Sequence, residues 1–233
     1  LVLACIAWCR HRLPAAWETA LVRRRVSLLA GAVAFLALAR LSVFMADPHA
    51  SQYSVLPHNV QFVRHSCLTA ATEALSHIRL HRSGYASPAT GSRIDGAFDP
   101  EPYYYPPQFL LAPAVMTHLI GTDDFIAIRR VWFAVQVLVA MGALFVIASY
   151  ISGRAGLVCA LAFPLVWLAP PVLLNLQIGN AQILAVALAI AGMVLLASGR
   201  TIVGSGLLAS AILAKIFPAM LLVGLVRRGR RHQ

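Results

Sequence analysis

Apolar residues dominate from Val26 to Met45, polar residues from Asp47 to Tyr105, and apolar residues again from Pro107 to Val226. A bilayer core takes roughly twenty apolar residues in helical form. Residues 26–46 therefore predict a first transmembrane helix, and residues 107–226 predict five more. The five read as a short inward pass at Pro107–Ile120, then Phe125–Tyr150 outward and Ala155–Leu174 inward, interrupted at Pro170-Pro171. Ala181–Ala197 then runs outward and Ile202–Val226 inward. The expected class is an all-α integral membrane protein. Residues 1–25 read as a cytoplasmic or interfacial segment, since the apolar run 1–9 is too short to span, and residues 227–233 as a basic cytoplasmic end.

The polar stretch, residues 47–106, has its own periodicity. Asn59 is a plausible helix cap, and Leu68, Ala71, Leu75 and Ile78 then recur at helical spacing. Residues 59–81 are expected to form an amphipathic helix lying on the membrane or on the bundle, with Leu68, Leu75 and Ile78 buried and Glu73 and His77 one turn apart on another face. The stretch closes in Asp99-Pro100-Glu101-Pro102-Tyr103-Tyr104-Tyr105-Pro106-Pro107. Prolines suit a first helical turn and tyrosines suit a membrane interface. That segment reads either as an anchored helix start or as the frame of an active site at the membrane surface. Farther on, Asp124 is placed to cap the helix that begins at Phe125.

Composition agrees: 60% of residues are hydrophobic and 12% charged, where a soluble domain holds about a quarter charged. The formal charge is +11, but the arginines gather at Arg10–Arg25, Arg129-Arg130 and Arg227–Arg231, beside apolar runs. That is the pattern of cytoplasmic loops and sets nucleic-acid binding aside. It predicts a multi-pass protein of the inner (plasma) membrane with residues 47–106 extracytoplasmic. Cys5, Cys9, Cys67 and Cys159 form no metal-binding set. Neither a metal nor a cofactor is expected. The chain starts at Leu1 and reads as a piece of a longer protein.

Several residues could carry chemistry. Five of the eight acids lie in the loop, and a carboxylate beside a membrane-embedded cavity can act as general base toward a sugar hydroxyl. Asp47 directly follows the first span, so the bundle would fix its position; Asp99 and Glu101 are the alternatives. Arg40 lies near the outer end of the first span, either snorkelling or holding a cation for an anion. Asn180 and Gln182 belong to an amide-rich stretch between two apolar runs. They either satisfy backbone at a broken helix or bind a lipid head group. Lys215, the only lysine, lies inside an apolar run before Pro218. An intramembrane cation is a site candidate, unless it snorkels or pairs with helix-end carbonyls.

Taken together these residues resemble a known family. A carboxylate after the first span, a long outer loop closing in Tyr105-Pro106-Pro107, then Ile178-Gly179-Asn180-Ala181-Gln182, Gly199-Arg200 and Lys215-Ile216-Phe217-Pro218 resemble glycosyltransferase family 87 of the GT-C superfamily. The loop segment His65-Ser66-Cys67-Leu68-Thr69-Ala70 is similar to one bacterial branch. The resemblance spans residues 26–231, about the first half of such an enzyme, and departs from the family pattern at Asn180 and around Asp47. It implies a GT-C-like bundle and an inverting transfer of a mannose- or arabinofuranose-type sugar. The donor would be a polyprenyl phosphate at the outer membrane face, and the acceptor a glycolipid or polysaccharide of the envelope. By position Asp47 matches the base, while Arg40, Tyr105, Lys215, Asn180 and Gln182 would serve the donor phosphate and lipid. The competing class is a non-catalytic transporter or scaffold subunit of an envelope complex.

Overall fold

The structure is a computed structural model that describes residues 19–86, 94, 96–105 and 107–222. Asp95, Pro106, residues 1–18 and the Arg227–Arg231 cluster lie outside the described residues. The described chain is helical: α1 (Ala20–Ala37), α2 (Ala39–Ala46), α3 (Val60–Arg64), α4 (Cys67–Arg79), α5 (Leu111–Ile120), α6 (Phe125–Tyr150), α7 (Gly153–Trp167), α8 (Pro170–Gln177), α9 (Gln182–Ala197) and α10 (Thr201–Ala214). Short 3-10 turns sit at Ser51–Tyr53, Pro107–Leu110 and Phe217–Ala219.

Among the described residues, α6 alone is long and apolar enough to cross a membrane by itself. Its 26 residues reach about 39 Å at 1.5 Å per residue. The bent pairs α1–α2 and α7–α8, with bends of 46° and 59°, each qualify if taken as one span. The second bend falls at Pro170-Pro171 at the start of α8, where a missing N–H ends the preceding ladder. Helices α5, α9 and α10 are shorter apolar helices. The expected six full spans thus become one to three by length. Exposed Leu28, Leu29, Leu36, Leu138, Leu165 and Ile202 give the bundle an apolar exterior, which suits a membrane protein.

The directions also differ from expectation. Asp124 caps α6 as predicted, its carboxylate accepting from the N–H groups of Ile126 and Ala127 at 3.1 and 3.2 Å. However, the start of α6 lies beside the end of α2: Arg129 Nη1 donates to Phe44 O at 2.9 Å, and Arg130 Nη2 donates to Ala46 O. Arg79 of α4 pairs with Asp123 at 2.6 Å. The Pro107–Ile120 segment therefore does not carry the chain to the far end. It folds back on α4 and α6 at the loop end. Positive charge suggested a cytoplasmic turn, but these arginines are occupied by helix-end carbonyls. From α6 onward every helix runs opposite to the expected sense, and α10 ends at the loop end.

The loop is packed onto the bundle. Asn59 caps α3, accepting from Phe62 N–H at 3.3 Å, but the expected helix 59–81 breaks at His65-Ser66. There Cys67 N–H donates to Ile178 O at 2.7 Å and Ser66 Oγ to the same oxygen at 3.2 Å. Tertiary bonds replace the helical ones at that point. Leu68, Ala70, Ala71 and Ala74 form the buried face with Phe98, Tyr103, Phe125 and Trp132. Leu75 is half-buried, and Ile78 is 47% exposed, because the buried stripe follows the alanines.

Helices α9 and α10 approach closely at two glycines. A Cβ on Gly204 would meet Gly192 O at 2.9 Å, and one on Gly192 would meet Gly204 O at 2.9 Å. Forcing extra carbons into such a contact destabilises by about 1–3 kcal/mol. Gly204→Val should lower the thermal unfolding midpoint of the detergent-solubilised protein. Gly142→Ala, where a Cβ meets nothing within 4 Å, should leave it unchanged or slightly raised.

Candidate active site

Five side chains from three distant stretches meet at the loop end. His65 occupies the break between α3 and α4, where its extended backbone (φ −74°, ψ 130°) turns the ring toward the Glu101 carboxylate. Nδ1 pairs with Glu101 Oε1, and Nε2 lies 3.7 Å from Cys67 Sγ. The Cys67 thiol in turn lies within hydrogen-bond reach of Tyr105. Lys215 Nζ sits 4.2 Å from the centroid of the Tyr105 ring, a cation–π geometry. Lys215 reaches this point because α10 ends there: its backbone is extended (φ −151°, ψ 136°), as befits a helix stopping shortly before a proline.

The tyrosines of the Tyr103–Tyr105 run have three different fates. Tyr103 is 2% exposed and packs in the core under α4. Tyr104 is 82% exposed. Tyr105 is half-buried, its ring 5.9 Å from that of Tyr103, and its carbonyl accepts from Tyr85 Oη at 3.2 Å.

The electrostatics favour anion stabilisation. The Cys67 sulfur and the Glu101 carboxylate together raise the His65 imidazole from 6.5 to about 10, partly opposed by burial. His65 is therefore an imidazolium at neutral pH. Burial first, then Cys67 and Glu101, push the Tyr105 phenol up to about 12, so it remains a hydrogen-bond donor. An ammonium beside the Tyr105 phenol and an imidazolium paired with the Glu101 carboxylate are thus linked through Cys67.

The remaining expected residues are placed differently. Asp47 is exposed at the end of α2, its Oδ1 accepting from His49 N–H at 2.9 Å. Arg40 does not reach toward it; Nη2 donates to Gln52 O at 3.0 Å and Ser54 O at 3.3 Å. Asp99 is exposed, with its backbone bonded to Arg64 and Thr69. Asn180 Oδ1 accepts from Gln182 N–H at 3.0 Å, a local turn at the start of α9. The Gln182 and Asn175 side chains lie on an apolar cavity of about 280 Å³ with Leu144, Trp167, Val172 and Val186. The structure therefore unites Glu101, Tyr105 and Lys215, and leaves Asp47, Arg40, Asn180 and Gln182 outside that contact.

The sequence reading missed His65, Cys67 and the carbonyl-binding role of Arg129. His65 and Cys67 stood in a quoted motif, but a continuous helix would have put them on its flank. The signal available was Ser66, a residue type favoured at a helix start.

The imidazolium makes a pH-dependent contribution with a definite sign. A pKa raised from 6.5 to about 10 gives stability that is fully present below pH 6.5 and is lost as pH rises through 10. The thermal midpoint should therefore decline between pH 7 and 10. In His65→Asn that decline should be shallower, as read by tryptophan fluorescence melting across the pH series.

Among the described residues no group of three or more His, Cys, Asp or Glu is placed to hold a metal ion. No curated protein and no solved structure matches the chain. The model of glycosyltransferase family 87 matches residues 103–233. That match starts at the buried Tyr103 and takes in Tyr105, the 178–182 turn and Lys215. Covering more than half of the 233 residues, it establishes that this chain belongs to glycosyltransferase family 87.

Proposed function

We propose that this membrane glycosyltransferase chain takes a mannose- or arabinofuranose-type sugar from a polyprenyl phosphate at the outer membrane face. It would deliver the sugar to a glycolipid or polysaccharide acceptor of the envelope with inversion. The observation that carries the reading is the contact of Lys215 with Tyr105. It sets a fixed cation from the apolar bundle against the loop, where a lipid-borne phosphate would arrive. In this reading the acceptor hydroxyl attacks the anomeric carbon while Asp47 takes its proton, and the bond from that carbon to the phosphate oxygen breaks. Lys215, the Tyr105 hydroxyl and the His65 imidazolium meet the charge growing on the leaving phosphate. Glu101 is already engaged by His65, which favours Asp47 as the base. The apolar cavity lined by Leu144, Trp167, Val172 and Val186 is of the kind that takes an apolar chain.

A sugar-transfer assay of the full-length protein in lipid, with a panel of polyprenyl-phosphate sugars, tests the reading. Positioned proton transfer is worth about a hundred- to ten-thousandfold, so Asp47→Asn should lose activity on that scale while still binding donor. If Asp47→Asn keeps near-normal turnover and Glu101→Gln is inactive, the base is Glu101 instead. Lys215→Met should lower kcat on the order of a hundredfold, as for loss of one charge-stabilising donor. Full activity of that variant would remove the phosphate role.

A further inference from the structure

The first turns of α6 carry two arginines that the transfer chemistry does not use. Arg129 is 1% exposed. Its guanidinium lies between Phe44 and Phe98, 4.6 and 4.5 Å from the ring centroids. Nη1 donates to Phe44 O at 2.9 Å and to Met45 O at 3.5 Å, and Arg130 Nη2 donates to Ala46 O. These are the last three carbonyls of α2, which lack partners within the helix and carry the negative end of its dipole. Asp47 is the next residue.

Arg129 Nε and Nη2 are buried and have no hydrogen-bond partner among the described residues. A buried cation with idle donors is a poor stability device, since its desolvation is only partly offset and a well-packed apolar side chain would often serve as well. What it does provide is geometry. Arg129, Trp132 and Gln136 stand at i, i+3 and i+7, on one face of α6. Trp132 Nε1 donates to Gly179 O at 2.9 Å and Gln136 Nε2 to Asn180 O at 2.7 Å. A single rigid helix thus sets the end of α2 and the turn beneath the loop helix in one frame.

We propose that Arg129 and Arg130 are positioning residues for the transfer reaction. They clamp the terminal carbonyls of α2 and thereby hold Asp47 at a fixed place and angle relative to the cluster of Lys215, Tyr105 and His65. The proposal rests on the reading of Asp47 as base, and its test separates the two. The full-length enzyme is placed in nanodiscs in a background lacking native cysteines, with a nitroxide attached through His49→Cys, an exposed site two residues beyond Asp47. Arg130→Ala removes an exposed clamp side chain. Arg129→Lys keeps the charge but loses the flat fork. If Arg129→Lys fails to fold, Arg130→Ala carries the test alone.

The expected result is a nitroxide that is immobile with both arginines and mobile in the variants. In the unlabelled enzyme with its native cysteines, kcat should fall by about ten- to a hundredfold, the penalty of a misplaced group, with the KM for donor little changed. Adding Arg130→Ala to Asp47→Asn should then cause no further loss. Unchanged mobility overturns the clamp. Increased mobility with unchanged kcat, or a full further loss on top of Asp47→Asn, overturns its action through Asp47. An Asp47→Asn enzyme that is itself fully active refutes the base reading, and the catalytic role of the clamp falls with it, whatever the mobility shows.

Discussion

Three consecutive backbone carbonyls, those of Ile178, Gly179 and Asn180, tie one turn both to the loop, through Ile178, and to α6, through Gly179 and Asn180. They fall between α8 and α9, where the helical ladder is broken and unpaired backbone in an apolar setting costs several kcal/mol per group. Each is satisfied: Cys67 N–H and Ser66 Oγ from the loop on Ile178, and Trp132 and Gln136 from one face of α6 on Gly179 and Asn180. Gln177, just before them, accepts from Val55 N–H at 2.6 Å and donates to Phe62 O at 2.9 Å. The amide-rich stretch is therefore chiefly a seat for the loop. Gly179 belongs there because its φ is +70° and a Cβ would meet Leu68 at 3.2 Å. The left-handed conformation and the close approach both favour glycine.

The break that keeps α3 and α4 from being one helix follows from the same seat. Bonding to Ile178 holds Ser66 extended (φ −146°, ψ 117°) just before α4 begins at Cys67, and the extended His65 before it turns toward Glu101. The charged cluster is thus a consequence of how the loop is fastened. Lys215 enters from the other side because α9 and α10 pack through Gly192 and Gly204, which brings the end of α10 back to the loop. Two unrelated packing solutions converge on Tyr105.

Charge in this protein does more than mark sides of a membrane. Arg40, Arg129 and Arg130 all direct donors at main-chain carbonyls of the α2 end and the turn that follows it. Arginine suits this task, since its planar fork can serve two acceptors while its face lies on a ring. Among the described residues, Lys215 and His65 are instead directed at side chains of the loop, Tyr105 and Glu101.

Much of this was legible in residue types alone. The apolar runs marked helices, one to three of them long enough to cross a membrane, and Asn59 and Asp124 announced helix starts that the structure keeps, because a cap is a local bond made within three residues. Tyr105 and Lys215 were each identifiable as unusual. Their contact was not, because it depends on which end of the bundle α10 reaches. That in turn depends on whether Pro107–Ile120 crosses. A mostly apolar run of fourteen residues, 107–120, and a following arginine pair read as a crossing with an inside turn. The fold instead spends those arginines on the carbonyls of α2, so the segment folds back. The break at His65 and the exposure of Ile78 were hidden for a related reason. Periodicity shows which face of a helix is apolar, but carbonyls left open in another segment decide where that helix stops and which of its residues are covered. Sequence determined the helices and their caps. Tertiary hydrogen bonds to unpaired backbone decided their directions and, through them, the site.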